Sequence, residues 1–246
     1  MSATKSGKPV ALVTGAGVRL GRAVAEGLAA RGCDLVLHAH GSRKEVKALG
    51  RALERHGVRV KLLFADLSRA ASCKRLASDA WRSFKRVDIL VNNAAIYWPT
   101  PPARLSSREL DTFLDLNLKA PYILATELGT RMKKRGSGII VNMACLSAFR
   151  AWGHYVPYSI SKAGVVALTQ GLAKLLAPEV RVNAIAPGTV LPPKKYTKAK
   201  REKLRRGIPL GRLGSPQDIV RAVEYLIDSD FTTGVVLPVD GGRLLK

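Results

Sequence analysis

Short apolar runs rich in β-branched residues alternate along this chain with longer stretches of helical periodicity, and no other feature constrains the fold as tightly. Residues 9–14, 34–39, 58–65, 87–92, 138–143, 180–186 and 235–239 read as strands. Several are apolar throughout, as parallel strands covered on both faces are. Residues 20–31, 44–56, 70–85, 107–134, 158–176 and 216–228 read as the helices between them. Strand–helix–strand connections within one sheet are right-handed crossovers, so the expected class is α/β: one doubly wound parallel sheet with helices on both faces. No repeat, low-complexity tract or linker divides the 246 residues, which are assigned to a single domain with 47% hydrophobic content to fill its core. The polar residues 1–8 are expected to be flexible, and 190–212 to form a flap over a substrate.

Cys33, Cys73 and Cys145 lie far apart without metal-ligand spacing, so neither a disulfide framework nor a metal site is expected, and a reducing, cytoplasmic setting fits best. No segment approaches the roughly 18 uninterrupted apolar residues of a membrane span, and no signal peptide is read at the start. The formal charge of +23 favours anions of any kind. Yet the basic residues are scattered and no nucleic-acid module is present, so the expected partner is a small-molecule substrate rather than a specific nucleic acid or a membrane. The densest basic cluster is Lys194, Lys195, Lys198, Lys200, Arg201, Lys203, Arg205 and Arg206. It reads either as a solvated surface helix or as part of a flap near an anionic ligand.

The first strand runs through Thr14-Gly15-Ala16-Gly17-Val18-Arg19-Leu20-Gly21 directly into a helix. Glycines at such a turn let backbone approach a pyrophosphate, which the amides and positive dipole of the helix start then stabilise. A cofactor with a free ribose 2′-hydroxyl meets a carboxylate at the end of the second strand, but this chain has His38-Ala39-His40-Gly41-Ser42-Arg43 there. With Arg19 as a charged fork for phosphate oxygens, His38, His40, Ser42 and Arg43 point to NADP or NADPH. Each histidine read singly is equally a strand residue satisfied by its neighbours. Further on, Tyr158 and Lys162 stand four residues apart on one predicted helix face, where a cation beside a phenol favours the phenolate and moves its pKa toward the working range.

Thr14-Gly15 through Gly21, Asp66, Asn92-Asn93-Ala94-Ala95, Asn117, Tyr158 with Lys162, Pro187-Gly188 and Val239-Asp240-Gly241-Gly242 together resemble the short-chain dehydrogenase/reductase superfamily over nearly the whole chain. Within it, Arg19-Leu20-Gly21, Leu37-His38-Ala39-His40 and the run from Asn92 to Pro101 look most like the pteridine reductases. The resemblance implies a Rossmann-type fold and a homotetramer. It also implies that Asp66 and Leu67 contact adenine, and that Asn93, Ala94 and Ala95 line the ribose region. Lys162 would hold the nicotinamide ribose and lower the Tyr158 pKa. Asn117 would position a water, and Pro187, Gly188 and Thr189 would border the nicotinamide. Tyr97 takes the place of the ring that stacks on a pterin. Read as residues alone, Asp66 is equally a helix cap, Asn117 a backbone-bonding side chain and Tyr97 a loop aromatic.

Three positions depart from that pattern. Cys145 stands where the superfamily has serine and pteridine reductases aspartate, leaving either Cys145 or Ser147 to orient substrate. Gly41 replaces an arginine for the 2′-phosphate, and Ala95 lacks a serine hydroxyl. The expected activity is NADPH-dependent hydride transfer to a pterin or dihydrofolate-like planar substrate with Tyr158 as proton donor. The alternatives are a 3-oxoacyl-carrier-protein or other carbonyl reductase, and a noncatalytic NADP-binding regulator.

Overall fold

A computed structural model of the chain describes residues 7–193 and 196–246. Its seven strands are β1 (Val10–Val13), β2 (Asp34–Ala39), β3 (Val60–Phe64), β4 (Ile89–Asn92), β5 (Gly138–Met143), β6 (Val180–Pro187) and β7 (Val236–Val239). They form one all-parallel sheet in the order β3-β2-β1-β4-β5-β6-β7. The chain reverses its direction of winding between β1 and β4, which pair Val13 with Val91, and ligand clefts open beyond the carboxyl ends of strands at such a point.

The helices are α1 (Arg19–Ala30), α2 (Arg43–Glu54), α3 (Ala70–Phe84), α4 (Ser107–Leu114), α5 (Ala120–Arg135), α6 (Val156–Leu176), α7 (Lys198–Arg206) and α8 (Pro216–Asp228). Alternate residues of β1 serve the two faces of the sheet, as strand geometry requires. Ala11 and Val13 pack with Val24 and Leu28 of α1 and Ile219 and Val223 of α8, whereas Val10 and Leu12 pack with Leu76 of α3, Leu124 and Leu128 of α5 and Leu172 of α6. α8 starts on a capping box in which Ser215 and Asp218 each satisfy the other's backbone N–H.

The single helix expected over 107–134 is divided. Asp115–Lys119 form a π turn between α4 and α5, placing the fully buried Asn117 in a widened helical ring. α7 lies within the segment expected as a flap, and none of its residues is buried. Lys194 and Lys195 of the basic cluster, like residues 1–6 of the expected flexible start, lie outside the described residues. Among the described residues no helix is long and apolar enough to cross a membrane. No group of three His, Cys, Asp or Glu side chains there is arranged to hold a metal ion.

Candidate active site

The turn after β1 is closed from below by the loop after β4. Gly15 has φ +64°, and a Cβ on Gly21 would run into the Gly15 carbonyl oxygen, so both positions need glycine. Thr14 accepts the N–H groups of Asn93 and Ala94 on its hydroxyl at 2.9 and 3.0 Å, and the Asn93 amide donates to the Thr14 carbonyl at 2.8 Å. Asn93 and Ala94 thus brace the turn, and Ala95 beyond them is exposed. At the start of α1, Leu20 packs partly on the core, Val18 offers no side-chain cap and the first turn contains no acid. The helix end therefore keeps its N–H groups and positive dipole for an anion, which fits a dinucleotide pyrophosphate.

At the adenine side the two histidines separate. His38 is buried, takes the Gly15 N–H on Nδ1 at 3.3 Å and meets the Ala65 carbonyl through Nε2 at 3.0 Å. Both ring nitrogens are spent on backbone, and burial lowers its pKa, so His38 is a neutral strut under the turn rather than a phosphate donor. Neither ring nitrogen of His38 is left over for the phosphate contact expected of it. His40 is exposed just beyond β2, Ser42 lies against Gly17, and the Arg43 guanidinium sits 4.7 Å over the Phe64 ring. Asp66 accepts both the N–H and the hydroxyl of Ser68, which holds its carboxyl below the usual range, and Leu67 is buried beside it.

α6 brings Tyr158 and Lys162 inside. Lys162 is 3% exposed, donates from Nζ to the Met143 carbonyl at 2.7 Å and is pulled down by burial to about 8. Tyr158 is pushed well above its ordinary value by burial, and the adjacent Cys145 adds to the rise. The structure thus reverses the expected direction for Tyr158. The ammonium is 5.8 Å from the ring centroid and engaged by a carbonyl, so its attraction does not offset the loss of water around the phenol. A phenol held in its protonated form is a proton donor. Asn117 accepts the Ile96 N–H at 2.9 Å and donates to the Ile96 carbonyl and to Ser161 Oγ, both at 3.1 Å, tying the loop after β4 to α6. Ser147 is buried in a short turn, and its hydroxyl is unpartnered among the described residues.

Tyr97 stands over this group. Its ring lies edge-on to Tyr158 at 4.9 Å, stacks on Tyr155 at 4.8 Å and 4°, and meets Trp152 edge-on at 6.4 Å. Phe113 and Trp98 close the inner side. Trp152, Tyr155 and Ser161 were not picked out from the sequence, and Thr14 only as the start of the glycine turn. A run of aromatics shortly before Tyr158 was the only available signal for the first two.

Beyond β6, Pro187 ends the strand and the Gly188 N–H bonds the Val239 carbonyl at 3.0 Å. The Thr189 hydroxyl accepts from Arg243, and Arg19, at φ +54°, reaches across the cleft to the Leu191 carbonyl. Arg19 in this structure holds the root of the flap segment to the glycine turn.

Comparison with known proteins agrees with this geometry. The family described as Enoyl-(Acyl carrier protein) reductase matches residues 15–243. A D-threitol dehydrogenase from Mycolicibacterium smegmatis is 34% identical over 250 residues, covering 96% of this chain and 93% of that protein. The 3-oxoacyl-(acyl-carrier-protein) reductase FabG of Aquifex aeolicus is 31% identical over 238 residues, 95% of this chain and 96% of its own. Among solved structures, FolM alternative dihydrofolate reductase 1 from Brucella canis, in complex with NADP, superposes with a TM-score of 0.89 at 29% identity, covering 97% of this chain and 95% of that one. With its seven-stranded parallel sheet, glycine turn and buried Tyr158–Lys162 pair, the chain belongs to the short-chain dehydrogenase/reductase superfamily, oxidoreductases that work with nicotinamide cofactors on small-molecule substrates.

Proposed function

We propose that this oxidoreductase reduces a planar heterocycle of the pterin or dihydrofolate type with NADPH, Tyr158 donating the proton. The observation that carries the reading is the aromatic wall at the phenol, in which Tyr97 stacks on Tyr155 and meets Tyr158 edge-on. Flat rings are favourable partners for such a wall, and a half-exposed Tyr97 leaves room for one. NADPH rather than NADH is supported by the absence of any carboxylate at the end of β2, by exposed His40 and by Arg43 nearby. The FolM structure, similar to this chain throughout, holds NADP.

When bound, the reduced nicotinamide supplies the hydride. The chain supplies the rest of the reaction. The glycine turn and the uncapped start of α1 take the pyrophosphate. Asn93, Ala94 and Ala95 border the ribose, and Pro187, Gly188 and Thr189 border the nicotinamide. Lys162, with one of its three protons engaged by Met143, offers the others to ribose hydroxyls. Tyr158, protonated throughout the neutral range, gives its proton to the atom next to the hydride acceptor. Cys145 beside Tyr158 orients the phenol. Reduction of a 3-oxoacyl carbonyl is the second reading. It is favoured by the similarity to the Aquifex reductase and by the thiol at Cys145, since a carbonyl oxygen needs a single donor and no neighbouring acid.

Four copies are proposed to assemble through α5, α6 and β7, in keeping with apolar side chains left outside on α6, and three free buried cysteines suit a cytoplasmic setting. The test is oxidation of NADPH, and of NADH in parallel, by the purified protein with dihydrobiopterin, dihydrofolate and 3-oxoacyl substrates. Turnover of the pterin or folate with NADPH preferred is expected. Turnover confined to acyl substrates would overturn the first reading.

A further inference from the structure

Two loops meet over the phenol of Tyr158. Tyr97 lies within residues 93–100, which form no helix or strand. Tyr155 ends the short 3₁₀ turn Gly153–Tyr155 just ahead of α6. Backbone fastens the two loops: the Thr100 N–H donates to the His154 carbonyl at 2.7 Å, and Thr100 is buried at that junction. The Tyr155 N–H donates to the Trp152 carbonyl at 2.8 Å, and the Trp152 N–H to the Ser159 hydroxyl of α6 at 3.3 Å. The turn that carries Tyr155 is thereby tied to the helix that carries Tyr158.

The rings divide their faces accordingly. Tyr155 lies parallel to Tyr97, with 4° between the planes and 4.8 Å between centroids, and so covers one face of it. Trp152 stands at 81° to Tyr155 and 78° to Tyr97, closing the side of the stacked pair. Tyr97 nevertheless remains 50% exposed. A half-exposed ring on a loop has rotamer freedom to lose when a ligand stacks on it, and that loss weakens binding. Contact with Tyr155 and Trp152 removes the freedom beforehand.

We propose that Tyr155 is a positioning residue: its ring backs one face of Tyr97 and so fixes the other face as the platform for a flat substrate. This rests on the ring-reductase reading above and assigns affinity for the substrate ring to a stacked pair of which only Tyr97 touches it. The role belongs to the ring of Tyr155 rather than to its hydroxyl. Ordering the platform is a binding term remote from the reacting atoms, so Tyr155 acts on KM rather than on the proton transfer at Tyr158.

The experiment is a double-substitution cycle at Tyr97 and Tyr155, read as steady-state reduction of dihydrobiopterin by NADPH. Tyr155→Leu is expected to raise the KM for dihydrobiopterin about fivefold, with kcat and the KM for NADPH within about twofold of wild type. Tyr155→Phe, which keeps the ring, is expected to restore the wild-type KM. Tyr97→Leu is expected to raise it about tenfold and the double variant no further, because Tyr155 acts only through Tyr97. A KM unmoved by Tyr155→Leu, or effects that multiply in the double variant, would overturn the assignment, the latter by placing Tyr155 against the substrate itself. So would a defect in Tyr155→Phe as large as that in Tyr155→Leu, or parallel losses in kcat, NADPH affinity and Tm, which mark a general disturbance of the site. If neither dihydrobiopterin nor dihydrofolate is turned over, the proposed function fails. The backing of Tyr97 is then decided on the ligand-free protein by near-ultraviolet circular dichroism. Tyr97→Leu and Tyr155→Leu are expected to remove the same signal and Tyr155→Phe to keep it, whereas a spectrum unmoved by Tyr155→Leu overturns the pairing.

Discussion

Lys162 bears an electrostatic cost for burying its ammonium. Its ammonium is fully enclosed and releases its proton near pH 8 in the fold, against about 10.5 for an exposed lysine. Below about pH 8 both folded and unfolded chains carry the charge, and the fold bears a burial cost of about 3 kcal/mol. As pH rises from 8 to 10.5 the folded form sheds the proton first and that cost is relieved. Urea unfolding of Lys162→Met, which has no charge to bury, is therefore expected to lack this gain. The stability difference between variant and wild type shifts by about 3 kcal/mol across that window in favour of the wild type. A pH-independent difference would contradict the depressed value. In catalysis, the same titration predicts reductase activity that is level below about pH 8 and declines above it, as Lys162 loses the charge that holds its ligands. Tyr158 and Lys162 were legible in the sequence because four-residue spacing fixes a shared helix face. The upward shift of Tyr158 was not, because it arises from burial that the spacing does not encode.

At the scale of elements, the glycine turn and the loop after β4 form one unit, held by Thr14, Asn93 and His38. Gly21 sits where α1 passes closest to that turn, and a methyl group there would meet backbone oxygen, which has no flexible end to move aside. Gly21→Ala is expected to cost about 2 kcal/mol of stability and to weaken dinucleotide binding more than substrate binding. Thermal unfolding with and without NADPH would check it, and an undiminished cofactor-induced rise in Tm would refute it. The turn and its helix were readable because both are local. The π turn at Asn117 was not: helical periodicity runs through 107–134, and the extra residue serves contacts with Ile96 and Ser161, 21 and 44 positions away.

For the whole molecule, the arrangement of apolar surface is informative. α6 buries Tyr158, Lys162, Val165 and Leu172 on one side yet leaves Ile160 47% and Leu175 65% exposed on the other. Exposed large apolar residues grouped along a helix mark an association surface. Ile160→Glu with Leu175→Glu is expected to convert a tetramer to smaller species in sedimentation velocity without unfolding it. A wild-type protein that sediments as a monomer would end that proposal. The charge of +23 is distributed over the molecule, and the 18 acids are too few to neutralise it.

The doubly wound parallel sheet, the glycine turn and the Tyr158–Lys162 pair were determined by the sequence alone, because hydrophobic period, turn chemistry and helical spacing are properties of adjacent residues. Only the tertiary structure decided that His38 is a strut, that Trp152 and Tyr155 join Tyr97 at the phenol, and that Arg19 meets the Leu191 carbonyl 172 residues away. Those outcomes depend on which side chains lose water and which distant backbone groups they meet, and packing sets both.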